Sequence, residues 1–188
     1  MKEFIIILFS SFFLFTNNIY SQTVEDEIKY IRTHYLKVNN ELDKYKKIDF
    51  INVGLFKDSN PYSMEGAKLF NLAIINCYKY FKDNKIKKIV VTFDGEYNFQ
   101  TSEYYIWNDK LFFVFKKQIQ FLKSRTSENL TGKDKTIIEN RYYIKNNKII
   151  RWLNEKKKKV LDKVKIKSEE KILIHDYELY RSDLSKLQ

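Results

Sequence analysis

One proline and four glycines among 188 residues are too few for a linker-rich or disordered chain, and an apolar fraction of 44% suffices to build a core. A single cysteine, Cys77, excludes an intramolecular disulfide framework. It falls in the apolar stretch from Leu72 to Tyr80, where a thiol packs as a small hydrophobe, and no histidine lies near it in sequence to activate it. The two histidines, His34 and His175, belong to no metal-binding spacing and read as surface or helix-flank residues. No metal or other cofactor is expected. The one long apolar run, Phe4 to Phe15, is broken by Ser10 and Ser11 and falls short of the ~20 residues that a membrane-crossing helix needs.

That run does match a cleavable secretory signal over residues 1–21. Lys2 supplies the positive start, Thr16, Asn17 and Asn18 restore polarity, and Ser21 offers a small residue before a cut at Gln22. The expected organisation is this signal followed by one domain over 22–188, exported to the periplasm or the exterior, with no membrane span after processing. The net charge is +11, and because Lys2 and Glu3 cancel, the domain keeps the whole excess. Such a surface attracts nucleic acid, an anionic polysaccharide or lipid, or an acidic protein. The plainer account is a chain rich in Lys, Asn and Ile whose lysines are solvated surface.

Apolar residues at Val24, Ile28, Ile31, Tyr35, Val38, Leu42 and Tyr45 alternate spacings of three and four, which predicts an amphipathic helix from about Val24 to Tyr45. Thr23 and Asp26 make a capping pattern at its start. Glu25, Asp26 and Glu27 open it and Lys44, Lys46 and Lys47 close it, as the helix dipole favours. Ile48 to Phe56 is a candidate first strand, and Asp58 to Pro61 a loop.

The middle of the chain repeats itself. Tyr80-Phe81-Lys82-Asp83-Asn84-Lys85-Ile86 is echoed by Tyr105-Ile106-Trp107-Asn108-Asp109-Lys110-Leu111 and by Tyr143-Ile144-Lys145-Asn146-Asn147-Lys148-Ile149. Each closing aliphatic is followed, three residues on, by Ile89, Val114 or Trp152. Paired Asn/Asp residues tolerate the positive φ of a tight turn, and β-branched and aromatic neighbours favour strands, so three successive hairpins are expected. With a two-residue turn, Phe81 faces Ile86, and Tyr104, Ile106, Leu111, Phe113 and Phe115 share one face while Tyr105, Trp107, Phe112 and Val114 share the other. A bulge shifts this by one. Both sets are apolar, so the second face is either covered or left as an aromatic surface.

Lysines at 156–159 precede an alternating stretch, Lys163-Val164-Lys165-Ile166-Lys167, which reads as a lysine-protected edge strand. Ser168, Glu169 and Glu170 then resemble a helix start, and Leu173, Tyr177, Tyr180, Leu184 and Leu187 continue a helical stripe. The fold class is thus α+β: an N-terminal amphipathic helix, an antiparallel meander of about five to seven strands built from hairpin repeats, and a C-terminal helix.

Chemistry is sparse. Asp94-Gly95-Glu96, with Glu103, is the one carboxylate cluster suited to acid–base work, and a hydrolase built on Asp94 is the third functional reading. Flanking a turn glycine, these side chains read more simply as solvated. Thr131-Gly132-Lys133 lacks the rest of a phosphate-binding loop. The candidate binding surface is aromatic and basic: Tyr80, Tyr105, Trp107, Tyr143 and Trp152 among Lys82 and Lys145. It would suit a single-stranded nucleic acid or an anionic sugar chain; the simpler account packs the aromatics as cross-strand pairs.

At Glu103 to Phe115 and Glu139 to Trp152 the chain resembles small exported bacterial proteins carrying Tyr-Tyr-Phe-x-Asp-Gly-Lys-Leu hairpins, with Asn or Asp here in place of the usual turn glycine. The resemblance implies an exported location and a hairpin sheet, and brings no activity. The favoured reading is a non-enzymatic exported binding module. The alternative is an envelope protein holding an anionic polymer (polysaccharide, lipopolysaccharide or nucleic acid) on a lysine and aromatic sheet face.

Overall fold

The computed structural model describes residues 23–51, 74–125 and 131–182. Helix α1 spans 23–40 and gives way to a 3-10 turn at Leu42–Lys44. Seven strands follow: β1 (Lys46–Ile51), β2 (Ile74–Lys82), β3 (Lys85–Asp94), β4 (Asn98–Trp107), β5 (Lys110–Phe121), β6 (Lys135–Lys145) and β7 (Lys148–Leu153). They form one antiparallel sheet in sequence order. Helix α2 (Lys163–Arg181) closes the described chain. No helix among the described residues is long and apolar enough to cross a membrane. The expected signal with its cut at Ser21 and Gln22, and the loop around Pro61, lie outside the described residues.

Each tip carries the backbone that the paired Asn/Asp residues predict. Asp83 and Asn84 have φ of 51° and 56°, Asn108 and Asp109 49° and 59°, Asn146 and Asn147 50° and 59°. Two consecutive left-handed residues match the right-handed twist of the flanking strands, so the turns close without splaying them. Phe81 faces Ile86, as a two-residue turn requires.

A bulge then intervenes, and the face assignment made from the turn alone is corrected by it. Ile106 faces Leu111 but Tyr105 faces Phe113, which leaves Phe112 as an extra residue. Lys87 and Ile150 are the extra residues at the same distance from the other two tips. Past the bulge the alternation changes phase. Phe113 and Phe115 therefore join Tyr105, Trp107 and Phe112 on one face, while Val114 joins Tyr104, Ile106 and Leu111 on the other. The spacing of three from Leu111 to Val114 records that extra residue.

Both faces are covered. On one, Ile28, Ile31 and Val38 of α1 pack on Tyr105, Phe112, Phe113 and Tyr143. On the other, Leu173, Tyr177 and Tyr180 of α2 pack on Ile89, Tyr104, Val114 and Trp152. Each fully buried aliphatic of this kind contributes roughly 1.5–3 kcal/mol. The sheet is thus the middle layer of three.

Ion pairs fix how α1 lies. Glu25 binds Arg151 of β7, Glu27 binds Lys145 at 2.6 Å, and Glu41 binds Lys82 of β2 at 2.7 Å. The helix therefore runs across the sheet from β7 toward β2. It ends at residue 40, short of the expected Tyr45. The tighter 3-10 turn keeps Leu42 and Tyr45 against the same cluster, which is why their spacing looked continuous with the helix.

The expected edge strand at Lys163–Lys167 is instead the opening of α2. The Asp162 carboxylate accepts from the backbone N–H of Val164 and of Lys165, both at 3.0 Å, satisfying two of the donors that a helix start leaves open. Val164 is 82% exposed while Ile166 packs inward, so the alternation is one turn of a helical stripe. At the far end, Lys79 is buried and donates to the carbonyls of Arg181 and Ser182, capping the negative end of the same helix.

Candidate ligand groove

The apolar rows under α2 give way to polar ones farther from the tips. In β4, Tyr104 is succeeded on the same face by Ser102 and Gln100; in β5, Val114 by Lys116 and Gln118; in β6, Tyr142 by Asn140 and Ile138. Register places Gln100 opposite Gln118 and Gln118 opposite Ile138, with Lys116 opposite both Ser102 and Asn140. This amide-rich surface floors a groove of about 510 Å³. Its walls are the first turns of α2, through Lys165 and Glu169, and the turn after β7, through Asn154, Glu155 and Val160.

The walls are held rigidly. Tyr142 donates to Glu169 at 3.0 Å, and Lys116 pairs with the same carboxylate at 3.2 Å. Burial first, and then the Glu169 charge, push the Tyr142 hydroxyl well above its ordinary range, so it stays a donor. The Trp152 indole N–H donates to the Asn140 side-chain oxygen at 2.8 Å, which fixes that amide with its own N–H groups left over. Asn154 orders the turn by accepting from the backbone N–H of Lys156 and Lys158.

The lining charges balance, with Lys116 and Lys165 against Glu155 and Glu169. Amides that both donate and accept, in a groove whose lining charges cancel, suit a neutral polar ligand held by hydrogen bonds. Among the described residues, no group of three or more metal-ligating side chains converges.

The aromatic and basic residues singled out from the sequence are placed differently. Tyr105 and Tyr143 are buried beneath α1, with Tyr80 and Trp107 packed at the margin of the same cluster. Trp152 is buried on the opposite face, in the wall of the groove. Lys82 and Lys145 hold the two ends of α1. The seven residues therefore do not form an exposed cationic platform; the face that carries most of them is covered. His34 stacks edge-on against Trp107 at 4.4 Å, and its ring nitrogen lies 2.9 Å from the Tyr30 carbonyl, as expected of a helix-flank residue.

The carboxylates do not converge either. Asp94 pairs with Arg125, whose guanidinium also lies over Phe99 and Phe121. Glu103 sits across from Val90, where it takes Lys88 at 3.0 Å and the Tyr105 hydroxyl at 2.5 Å. Both partners are shared with Asn39 of α1, so this buried group is a clasp between helix and sheet. In the 131–134 segment, Asp134 accepts from the Thr131 hydroxyl and backbone N–H. The hydroxyl bond, with the backbone bond behind it, lowers this carboxyl to about 2, so a carboxylate occupies what a phosphate would need.

The groove floor escaped the sequence reading. Its signal was the continuation of each buried row into Gln, Asn and Lys, visible only once the bulge has set the phase. No family model, curated protein or solved structure matches this chain.

Proposed function

We propose that the protein is an exported binding module without catalytic activity, and that its ligand lies in the groove between α2 and the amide floor. The observation that carries this reading is the change of the α2-facing rows of β4, β5 and β6 from apolar to amide side chains beneath an open groove. A sheet face with no ligand to meet would need no such ordered set. The dispersal of Asp94 and Glu103 into separate ion pairs also favours binding over hydrolysis.

The test is retention of solubilised envelope glycans and peptides on the immobilised protein, compared with Gln118→Leu. Gln118 is half-buried in the floor, so the leucine removes hydrogen bonding while leaving the strand. Equal retention by both forms would sink the groove reading. Hydrolysis of an esterase, nuclease or glycosidase substrate that is lost in Asp94→Ala would sink the non-catalytic one.

A second reading has its own support. Lys156, Lys157 and Lys158 are exposed in the turn after β7, and Lys163, Lys167 and Lys171 recur every fourth residue as an exposed basic ridge of α2, while Lys159 reaches Glu25 of α1 at 3.8 Å. The polyanion alternative moves from the covered sheet face to this ridge. Heparin binding that falls steeply with added salt would favour it, and salt-insensitive or absent binding would remove it.

A further inference from the structure

We propose that β6 pairs with β6 of a second copy, joining two sheets across a two-fold axis centred on Ile137. Strand β6 has 11 residues, whereas β7 pairs only with Arg141–Lys145, so residues 135–140 form an outer edge that no described residue pairs. This edge lacks the usual protections. It contains no proline, its pairing with β5 runs without a bulge, and its one lysine sits at the end rather than the middle. Two isoleucines occupy the centre, and Ile137 is 43% exposed.

Charge and parity select the partner. In antiparallel pairing, outward-pointing backbone groups must meet outward-pointing groups, so residues of like parity stand opposite one another. Centred on Ile137, the pairing sets each Lys135 against Glu139 of the other copy, twice, with the two Ile137 side chains between them; each Glu139 also keeps Arg141 of its own strand at 2.8 Å. Centring on Ile138 instead sets Ile137 against Glu139 and Lys135 against Arg141, which is already paired to Leu153. Only the first register is self-complementary. It also ends where it must: Asn140 is the last residue before β7 occupies the edge, and in the facing strand the 3-10 turn Gly132–Asp134 redirects the chain there.

The interface is isologous, so it closes at two copies and does not propagate. Both α1 helices stay on one face and both grooves on the other. Ile138 and Asn140 line the groove at its open side, so Thr136 of the second copy, opposite Ile138, becomes part of its rim.

The experiment measures mass by light scattering across a dilution series, without ligand, for the native protein, Lys135→Glu, Glu139→Lys and the double exchange. The thermal melt of each checks folding. The expected result is a dimer that dissociates at roughly tenfold higher concentration in each single variant and is restored in large part by the double exchange, the remainder being the Arg141 contact that Glu139→Lys gives up. Because no ligand is present, the outcome is independent of the groove reading. A native monomer overturns the proposal, and hydrogen-exchange protection of 135–140 in that monomer would assign the edge to another segment of the same chain. A dimer indifferent to Lys135→Glu, or one not restored by the exchange, overturns it equally.

Discussion

Asn146 and Asn147 occupy left-handed backbone at φ of 50° and 59°. An L-residue there brings its Cβ against the following carbonyl, a cost that short polar side chains offset by bonding locally and that glycine avoids. Asn147→Val is therefore expected to lower stability by about 1–2 kcal/mol, while Asn147→Gly leaves it unchanged or slightly higher. Urea unfolding of the two variants distinguishes them. An equal loss in both would mean that the Asn side chain, rather than the backbone, sets the turn. These tips were the most legible part of the sequence because the constraint is local: two residues, one dihedral region, one turn type. The bulge beside them was legible only in hindsight. It leaves no special residue behind, since Lys87, Phe112 and Ile150 share no chemistry, and its trace is a spacing.

Among elements, α2 is tied to the sheet by side chains that carry charge into a partly buried layer. Asp176 lies 3.5 Å from the Tyr104 hydroxyl, and burial raises its pKa above the ordinary 3.8, with Lys116 and His175 opposing the shift and Glu169 adding to it. The sign follows. As pH rises, the unfolded chain loses the Asp176 proton first, so the contribution of Asp176 to stability is greatest below 3.8 and declines until the folded carboxyl has also ionised. Asp176→Asn does not titrate and escapes that decline. Its stability relative to native protein should therefore increase from pH 3 to pH 7, as read by denaturant unfolding at each pH. A pH-independent difference would show that the shift is absent. Lys163–Lys167 alternates like a strand over one helical turn, which hides the start of α2 in the sequence. The decisive residue was Asp162, whose capping role appears once its carboxylate is seen on two backbone donors. The end of α1 slipped for a related reason, as a 3-10 turn preserves the buried face while changing the helix.

For the whole molecule, the consequence is a sheet stabilised from both sides. The two apolar sets were readable in the alternation of β4 and β5, but which helix covers which set depends on contacts across more than a hundred residues, such as Glu25 with Arg151 and Lys145 with Glu27. No local pattern encodes that. It is also why an aromatic and basic surface stands in the sequence as an alternative to the covered interface, and why the amide floor leaves no local trace. Ile31, at 1% exposure beneath α1, tests the arrangement. A carboxylate there must shed its water, with Arg32 and Arg141 of the adjoining cavity offsetting only part of that cost, so Ile31→Asp should lower stability by about 1–3 kcal/mol or detach the helix. Detachment would show as strong binding of a hydrophobic dye, because Tyr105, Phe112, Phe113 and Tyr143 would meet water. Native-like stability with no dye binding would mean that α1 does not cover that face.

Three bulges placed alike relative to three tips make each ribbon an interchangeable cassette. Each delivers its closing aliphatic and the residue three positions on to the same layer, whichever pair of strands it joins. Grafting 143–152 over 105–114 would still point both of those side chains toward α2. A chain assembled this way can lengthen or shorten by whole ribbons without renegotiating its interior, and its width is then set by how many ribbons two helices can roof.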